Sequence, residues 1–250
     1  MVDFDGRVQR YRLCVVNGVF VSGGVGDDGR VQPPHLFTAL AERLAEATGW
    51  RAWALWPYRD KRVFGVPAFA TTTRRAIEGY ARFLADAIRA DLNAAPLESG
   101  ESLAFVAYSG GVPVVQTAAT LLRPSIPVEA FVFFGPALLP GKVPADWAGS
   151  ASVGCVLGER DWIQGVYPRL PRPWHGALHA RNHARIVAAL PANTVYRTIP
   201  CDHWPGYFTQ EGSPLLVSAI CDLLQPVAVR GLRRVGARSA RPSRARAPRA

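Results

Sequence analysis

Short apolar segments alternate with longer amphipathic segments along most of the chain. The apolar segments, rich in Val, Ile, Phe or Trp, predict strands at residues 13–16, 52–56, 103–108, 130–134, 152–157 and 194–199. The amphipathic segments predict helices at residues 36–47, 73–92, 113–122, 178–190 and 214–224. Strands that are apolar throughout and alternate with helices are typical of an α/β fold. We therefore expect a mostly parallel central sheet of about six strands, flanked by helices on both faces as a three-layer sandwich.

Two of the predicted helices are preceded by residues that favour a helix start. Thr71 to Thr73 come directly before Arg74, which predicts a threonine N-cap. Ser213 comes directly before Pro214, which predicts a serine N-cap with proline at the first helical position.

The formal net charge of +10 is concentrated at one end of the chain. Eight arginines and no acidic residue lie between Arg230 and Ala250, while the rest of the chain has 21 basic and 19 acidic residues. A segment of Arg, Ala, Pro, Gly and Ser buries too little apolar area to order itself. We therefore predict a folded catalytic domain over residues 1–228 and a disordered tail over residues 229–250. The tail lacks aromatic residues for base stacking, so we expect nonspecific contact with anionic surfaces and no specific nucleic acid.

Other features of the sequence favour a soluble, cytoplasmic protein. No apolar run approaches the ~18–20 residues that span a bilayer, so we do not expect an integral membrane protein. The first residues lack the apolar region of a secretory signal. Four scattered cysteines, Cys14, Cys155, Cys201 and Cys221, form no C-x-x-C pair and are expected to be reduced and mostly structural.

A serine follows the third predicted strand in a pattern that favours nucleophilic chemistry. Residues 107–111 read Ala-Tyr-Ser-Gly-Gly, which fits the form small-x-nucleophile-x-small. A serine at a sharp strand-to-helix turn is held in strained backbone angles, and its neighbours two positions away must be small. The turn exposes Oγ and directs the helix N-terminus towards it.

Two later predicted strands are followed by an acid and by a histidine. Asp161 lies just beyond the strand at 152–157, and His203 lies just beyond the strand at 194–199. The carboxyl ends of parallel strands meet at one edge of a sheet, so Ser109, Asp161 and His203 are expected to converge there. Glu159 and Asp202 are alternative acids. We prefer Asp161, because Asp202 is adjacent to His203 and would point elsewhere.

With this serine, acid and histidine in this order, residues 10 to 226 resemble the α/β-hydrolase family. The resemblance implies Ser109 as the nucleophile, His203 as the general base and then acid, and Asp161 as the carboxylate that orients the imidazole. It also implies an oxyanion hole formed by the N–H groups of Gly110 and Val19, with Phe20 as the alternative to Val19. The family often has His-Gly where this chain has Asn17-Gly18, so Asn17 is a departure from the pattern.

The resemblance further implies a minimal member of the family. Two strands common at the family's N-terminus have no room here, and the 52 positions between Ser109 and Asp161 leave little space for a cap domain. Several aromatic residues near the expected site could form an apolar acyl pocket. These residues are Phe20, Tyr108, Trp162, Trp204 and Tyr207.

The sequence therefore predicts a serine hydrolase that cleaves a carboxylic ester of a small molecule, requiring neither a metal nor an organic cofactor. Two alternatives stay open. The same residues could transfer the acyl group as an acyltransferase or release it as a thioesterase. The chain could also be a non-catalytic binding protein with a hydrolase fold.

Two other motifs in the sequence do not favour a different function. Residues 24–29 match G-x-G-x-x-G, but the two acidic residues there and the prolines that follow disfavour a helix that would bind a dinucleotide. His175, His179 and His183 are spaced by four residues, yet they lack the glutamate of a zinc motif and favour a solvated helical face.

Overall fold

The computed structural model describes residues 10–18, 24–25, 31–32, 35–55, 73–138, 141–159, 184, 186–202 and 206–225. Several predicted features lie outside these residues. They are Val19, Phe20, Asp161, Trp162, His203, Trp204, the three spaced histidines, residues 178–183 and 185 of the helix predicted at 178–190, and the arginine-rich tail. The described residues 184 and 186–189 of that helix are helical.

Strands and helices alternate along the chain as the apolar pattern predicts. The strands are β1 (Arg10–Val16), β2 (Gly24–Val25), β3 (Val31–Gln32), β4 (Ala52–Leu55), β5 (Glu101–Tyr108), β6 (Val128–Phe134), β7 (Ser152–Gly158) and β8 (Val195–Ile199). The helices are α1 (His35–Thr48), α2 (Arg74–Ala94), α3 (Gly111–Leu122) and α4 (Gly212–Leu224), and a 3₁₀ turn covers Gly206–Phe208. All six predicted strands are therefore present.

Six of the strands form one parallel sheet in the order β4-β1-β5-β6-β7-β8. The chain places β4 on one side of β1 and then crosses to begin β5 on the other side. The order therefore reverses between β1 and β5, and open α/β sheets bind ligands outside the carboxyl ends of the strands at such a point. The predicted fold class is confirmed.

Helices cover both faces of this sheet and bury two apolar cores. On one face, α2 and α3 pack over side chains such as Val16, Phe105 and Phe131. On the other face, α1 and α4 pack over side chains such as Val15 and Phe134. The strands between them are buried on both sides, which explains why their sequences are apolar throughout instead of alternating.

Gly154 shows how closely α4 approaches the sheet. A Cβ added at Gly154 in β7 would lie 2.8 Å from Leu223 Cβ in α4, so only glycine allows this packing without a shift.

The two predicted N-caps have different outcomes. Thr73 is the N-cap of α2, and its side chain accepts a hydrogen bond from Ala76 N at 3.2 Å. The predicted Ser213 cap is wrong, because α4 begins at Gly212 and Ser213 lies inside its first turn. The hydroxyl of Thr209 accepts from Gly212 N at 3.0 Å, while Arg43 donates to the Ser213 hydroxyl.

The G-x-G-x-x-G stretch overlaps a short ribbon. Gly24–Val25 pairs antiparallel with Val31–Gln32, so the chain on both sides of residues 26–30 is extended.

A buried ion pair closes the sheet edge opposite to the carboxyl ends of the strands. Arg12 donates to both carboxylate oxygens of Glu101, at 3.3 and 2.7 Å, and to the carbonyls of Ala95 and Pro96. Both charged side chains are less than a tenth exposed. Burial by itself would raise the pKa of Glu101, but the hydrogen bonds from Arg12 and from the Glu98 amide, and the charges of Arg12 and Arg51, lower it overall.

Among the described helices, none has the length and hydropathy that a membrane crossing requires.

Candidate active site

Ser109 lies at the turn between β5 and α3 with a strained backbone. Its φ is +46°, and it is the only non-glycine residue with a positive φ in the part of the chain that the structure describes. An L-residue in this left-handed region is disfavoured by contact between its Cβ and the backbone. Such strain persists only where the surrounding structure fixes the conformation.

Three hydrogen bonds hold the backbone of Ser109 in this conformation. Its amide donates to the carbonyl of Phe134, at the end of β6, at 3.2 Å. Its carbonyl accepts from Val112 N in α3 and from Ala137 N in the loop after β6, each at 3.1 Å. The turn is thus tied to the neighbouring strand, to its own helix and to the next loop. The side chain is carried on a rigid base, with 8% of the residue exposed.

The end of β1 packs directly against this turn. A Cβ added at Gly18 would lie 3.0 Å from Ser109 Cβ, and a Cβ added at Gly111 would lie 2.5 Å from the Asn17 carbonyl oxygen. The sequence correctly indicates that the residue two positions after the serine must be small. The structure shows that the crowding partner of Gly111 is the adjacent strand end.

The first turn of α3 begins beside Ser109. Gly110 is the N-cap residue in a helical conformation, and no side chain caps this end of the helix. The amides at a helix start carry a partial positive charge, which favours an anion or a developing negative charge nearby. This arrangement is suited to stabilising an oxyanion next to the Ser109 hydroxyl.

Asn17 and Ser109 each directly follow one of the two strands between which the sheet order reverses. The final pair of the parallel register joins Val16 to Ala107, so Asn17 lies level with Tyr108, and Gly18 lies level with Ser109. Asn17 is fully buried, and neither its Oδ1 nor its Nδ2 has a hydrogen-bond partner among the described residues. A buried polar residue therefore lies at the carboxyl end of the strand next to β5, at the edge where such folds bind ligands.

The strands that precede the other two predicted triad residues end at the same sheet edge. Glu159, just after β7, is exposed, and its amide donates to the carbonyl of Ile199 at the end of β8 at 2.9 Å. Asp161 follows two positions later. After β8, Cys201 is buried and Asp202 is exposed, and His203 is the next residue. The side chains of Asp161 and His203 lie outside the described residues, so their meeting with Ser109 stays a prediction.

Tyr108 and Tyr207, predicted to line a substrate pocket, are both core residues. Tyr108 is 3% exposed and Tyr207 is fully buried. The ring of Tyr108 packs against Phe37, Phe134, Tyr207 and Phe208, with centroid distances between 5.0 and 6.0 Å. These contacts form an aromatic cluster beneath the Ser109 turn, and they explain the burial without a substrate. A pocket role for the two tyrosines stays a prediction.

Two of the buried cysteines, Cys14 and Cys155, do not offer a competing nucleophile. Burial raises the pKa of Cys155, and burial together with the charge of Asp91 raises the pKa of Cys14. Both thiols therefore stay protonated and unreactive at neutral pH. Among the described residues, no group of three His, Cys, Asp or Glu side chains could hold a metal ion.

A surface groove of about 620 Å³ lies elsewhere, between α1 and α4. Arg43, Val217, Cys221 and Asp222 are among the residues that line it, and no residue of the Ser109 turn does. The groove is therefore separate from the candidate site.

A solved structure with the same architecture identifies the fold. The dienelactone hydrolase of Anabaena variabilis is 15% identical to this chain and superposes with a TM-score of 0.51, over 87% of this chain and 88% of that protein. This chain has the α/β-hydrolase fold. A hydrolase of the alpha/beta superfamily from Xanthomonas campestris is 20% identical, with a TM-score of 0.48 over 84% and 97% of the two chains. Est1E from Butyrivibrio proteoclasticus is 12% identical, with a TM-score of 0.45 over 86% and 89%. No protein-family model and no curated protein matches the sequence.

Two features of the site in this α/β-hydrolase fold were not predicted from the sequence. Ala137 contacts Ser109 only through its backbone amide, so its side chain gives no sign of this role in the sequence. The unpartnered side chain of Asn17 was visible only as a departure from His-Gly. A polar residue directly after an apolar strand, and next to a glycine, was the available signal.

Proposed function

We propose that the protein is a serine hydrolase that cleaves carboxylic esters, with Ser109 as its nucleophile. The observation that supports this most directly is the strained backbone of Ser109, held by three hydrogen bonds at the reversal point of the sheet. A serine that only filled space would gain nothing from a positive φ, which glycine would adopt without cost. The dienelactone hydrolase with the same fold supports hydrolysis as the reaction class.

In this proposal, the Ser109 hydroxyl attacks the ester carbonyl while His203 Nε2 removes its proton. The carbonyl oxygen becomes an oxyanion, which the N–H groups of Gly110 and Val19 and the start of α3 stabilise. Asp161 accepts a hydrogen bond from the other ring nitrogen of His203 and stabilises the imidazolium. Collapse of the tetrahedral intermediate breaks the bond to the alcohol oxygen, which takes the proton from His203.

The second half of the reaction regenerates the serine. At this stage the acyl group is bound to Ser109 Oγ as an ester. A water molecule takes the place that the alcohol has left. His203 removes a proton from this water as it attacks the acyl carbonyl, and returns the proton to Ser109 Oγ when the acid leaves. No step in this sequence needs a redox or group-carrier cofactor.

Labelling with a fluorophosphonate probe tests the proposal, because the probe phosphonylates only an activated serine. We expect the wild-type protein to be labelled and Ser109→Ala to be unlabelled. Ser102→Ala is the matched control: Ser102 is also buried but lies at the start of β5, away from the turn, where its hydroxyl donates to Glu129 at 3.0 Å. This control should be labelled like the wild type.

Hydrolysis of p-nitrophenyl esters of increasing acyl length would then define the acyl preference. Added alcohols would separate hydrolysis from acyl transfer by the product formed. A folded wild-type protein that resists the probe and cleaves none of the esters would refute the proposed function.

A further inference from the structure

Asn17 differs from the other buried polar side chains that the structure describes. Gln116, the other buried carboxamide with an unpartnered atom, lacks a partner only at Oε1, whereas both Oδ1 and Nδ2 of Asn17 lack one. The remaining unpartnered atoms, Trp53 Nε1 and Thr194 Oγ1, belong to side chains with a single polar atom. A carboxamide can make up to four hydrogen bonds. Taking it out of water without replacing them lowers stability, so an orphaned buried amide calls for a specific explanation.

The location of Asn17 suggests that explanation. A Cβ added at Gly111, at the start of α3, would lie 2.5 Å from the Asn17 carbonyl oxygen, and a Cβ added at the next residue, Gly18, would lie 3.0 Å from Ser109 Cβ. Alternation along β1 places Leu13 and Val15 in the core under α1 and α4. Continuing this alternation by one residue puts the Asn17 side chain on that same face, at the carboxyl end of the strand. The unpartnered amide thus lies at the sheet edge that holds the Ser109 turn.

We propose that Asn17 is a substrate-binding residue and that the substrate supplies the hydrogen-bond partner that its carboxamide lacks. In the bound state, its Nδ2–H donates a hydrogen bond to an oxygen of the acyl substrate at the reacting carbonyl. In the free protein the amide lacks this partner, at a cost to stability. The inference rests on the proposed ester hydrolase function and adds a side-chain donor to the two backbone donors.

The decisive experiment combines activity with thermal stability in Asn17→Leu. Leucine has a similar branched shape but neither donor nor acceptor. We expect kcat/KM for a p-nitrophenyl ester to fall about 100-fold. We also expect Tm to rise by about 2–4 °C, because the orphaned amide is removed from the core. An asparagine that is bonded within the protein would instead lower Tm when replaced.

Two further variants keep the result interpretable. Asn17→Ala should lose activity to a similar degree, even if leucine does not fit the space. Gln116→Met is the matched control, since it removes another buried carboxamide with an unpartnered oxygen, on α3 and outside the site. Its kcat/KM should equal that of the wild type.

The outcomes separate this inference from the proposed function. A labelled, active wild type with unchanged activity in both Asn17 variants overturns the role of Asn17 and leaves the hydrolase intact. A wild type that is neither labelled nor active refutes the hydrolase, and the substrate role of Asn17 with it.

Discussion

The carbonyl oxygen of Asn17 and the α-carbon of Gly111 approach so closely that a side chain at Gly111 has no room. A Cβ there would lie 2.5 Å from this oxygen and 3.1 Å from the Asn17 carbonyl carbon. The obstacle is backbone at the end of a central strand, which cannot rotate away as a flexible side chain could. The close packing of the start of α3 against the end of β1 therefore requires glycine at position 111.

We predict that Gly111→Ala damages both stability and activity. The new Cβ must push α3 away from β1, which we expect to lower the free energy of unfolding by about 2 kcal/mol. The displacement moves the Ser109 turn, and a shift of about 1 Å at a reacting group lowers activity about 100-fold. Urea unfolding and ester hydrolysis measure the two effects.

Gly79→Ala is the matched control for this substitution. Gly79 is exposed in the second turn of α2, and a Cβ there meets nothing within 4 Å. Alanine should raise the free energy of unfolding by about 1 kcal/mol, because glycine disfavours a helix interior. Equal effects of alanine at both positions would show that the contact with Asn17 does not matter.

The positive φ of Ser109 leads to a second prediction, which does not depend on catalysis. Ser109→Gly and Ser109→Ala both remove the hydroxyl, so neither should hydrolyse esters. Glycine adopts a φ of +46° without strain, whereas alanine retains the Cβ that disfavours it. We expect Ser109→Gly to be more stable than Ser109→Ala by about 1 kcal/mol in urea unfolding. The reverse order would mean that the turn is unstrained.

The parallel α/β sheet could be predicted from the sequence because its signals are local. Segments such as 103–108 and 130–134 are apolar throughout, and only a strand buried on both faces needs such a sequence. The Ser109 turn was also predictable, because small residues two positions after a serine mark a sharp turn between a strand and a helix.

Contacts between distant segments could not be predicted in the same way. The packing of Phe37 against Tyr108 joins residues far apart in the chain, and nothing in either local sequence specifies the partner. The predicted start of α4 was wrong for a related reason. Ser213 has the chemistry of an N-cap, but Thr209 satisfies the amide of Gly212, and the helix begins before Ser213.

The proposed role of Asp161 as the triad acid leads to a third prediction. Asp161→Asn should lower kcat about 10⁴-fold, because an amide favours the wrong tautomer of His203 and cannot stabilise the imidazolium. Glu159→Gln should leave kcat almost unchanged, since Glu159 is exposed and its structural contact is through its backbone amide. A large loss of kcat in Glu159→Gln with little loss in Asp161→Asn would assign the role of triad acid to Glu159 instead of Asp161.

The pH dependence of the reaction gives a fourth prediction about His203. The base must be neutral to accept the serine proton, so kcat/KM should rise with pH through an imidazole pKa of about 6.5. Steady-state rates measured from about pH 5 to about pH 8, on both sides of that pKa, test for this rise. A flat profile over that range would argue against a histidine base.

The buried pair of Arg12 and Glu101 leads to the last prediction, on stability and pH. Glu101→Gln leaves the buried Arg12 charge without its carboxylate, which should lower the free energy of unfolding by about 3 kcal/mol at neutral pH. The pKa of Glu101 is lower in the folded protein than in the unfolded chain. The ionised carboxylate therefore stabilises the fold above the unfolded pKa of about 4.3, and this contribution is lost as pH falls through the folded pKa.

Urea unfolding of the wild type and Glu101→Gln at a series of pH values measures this contribution. The gap between the two proteins should be full at neutral pH and should shrink in acid, because protonation neutralises Glu101 in the wild type. Glu98→Gln is the control, since Glu98 pairs with Arg51 at 3.0 Å but both side chains are at least half exposed. Its effect should stay below about 1 kcal/mol, as for other exposed pairs. A gap for Glu101→Gln that is equally small, or that does not change with pH, would show that Arg12 is held by the carbonyls of Ala95 and Pro96 alone.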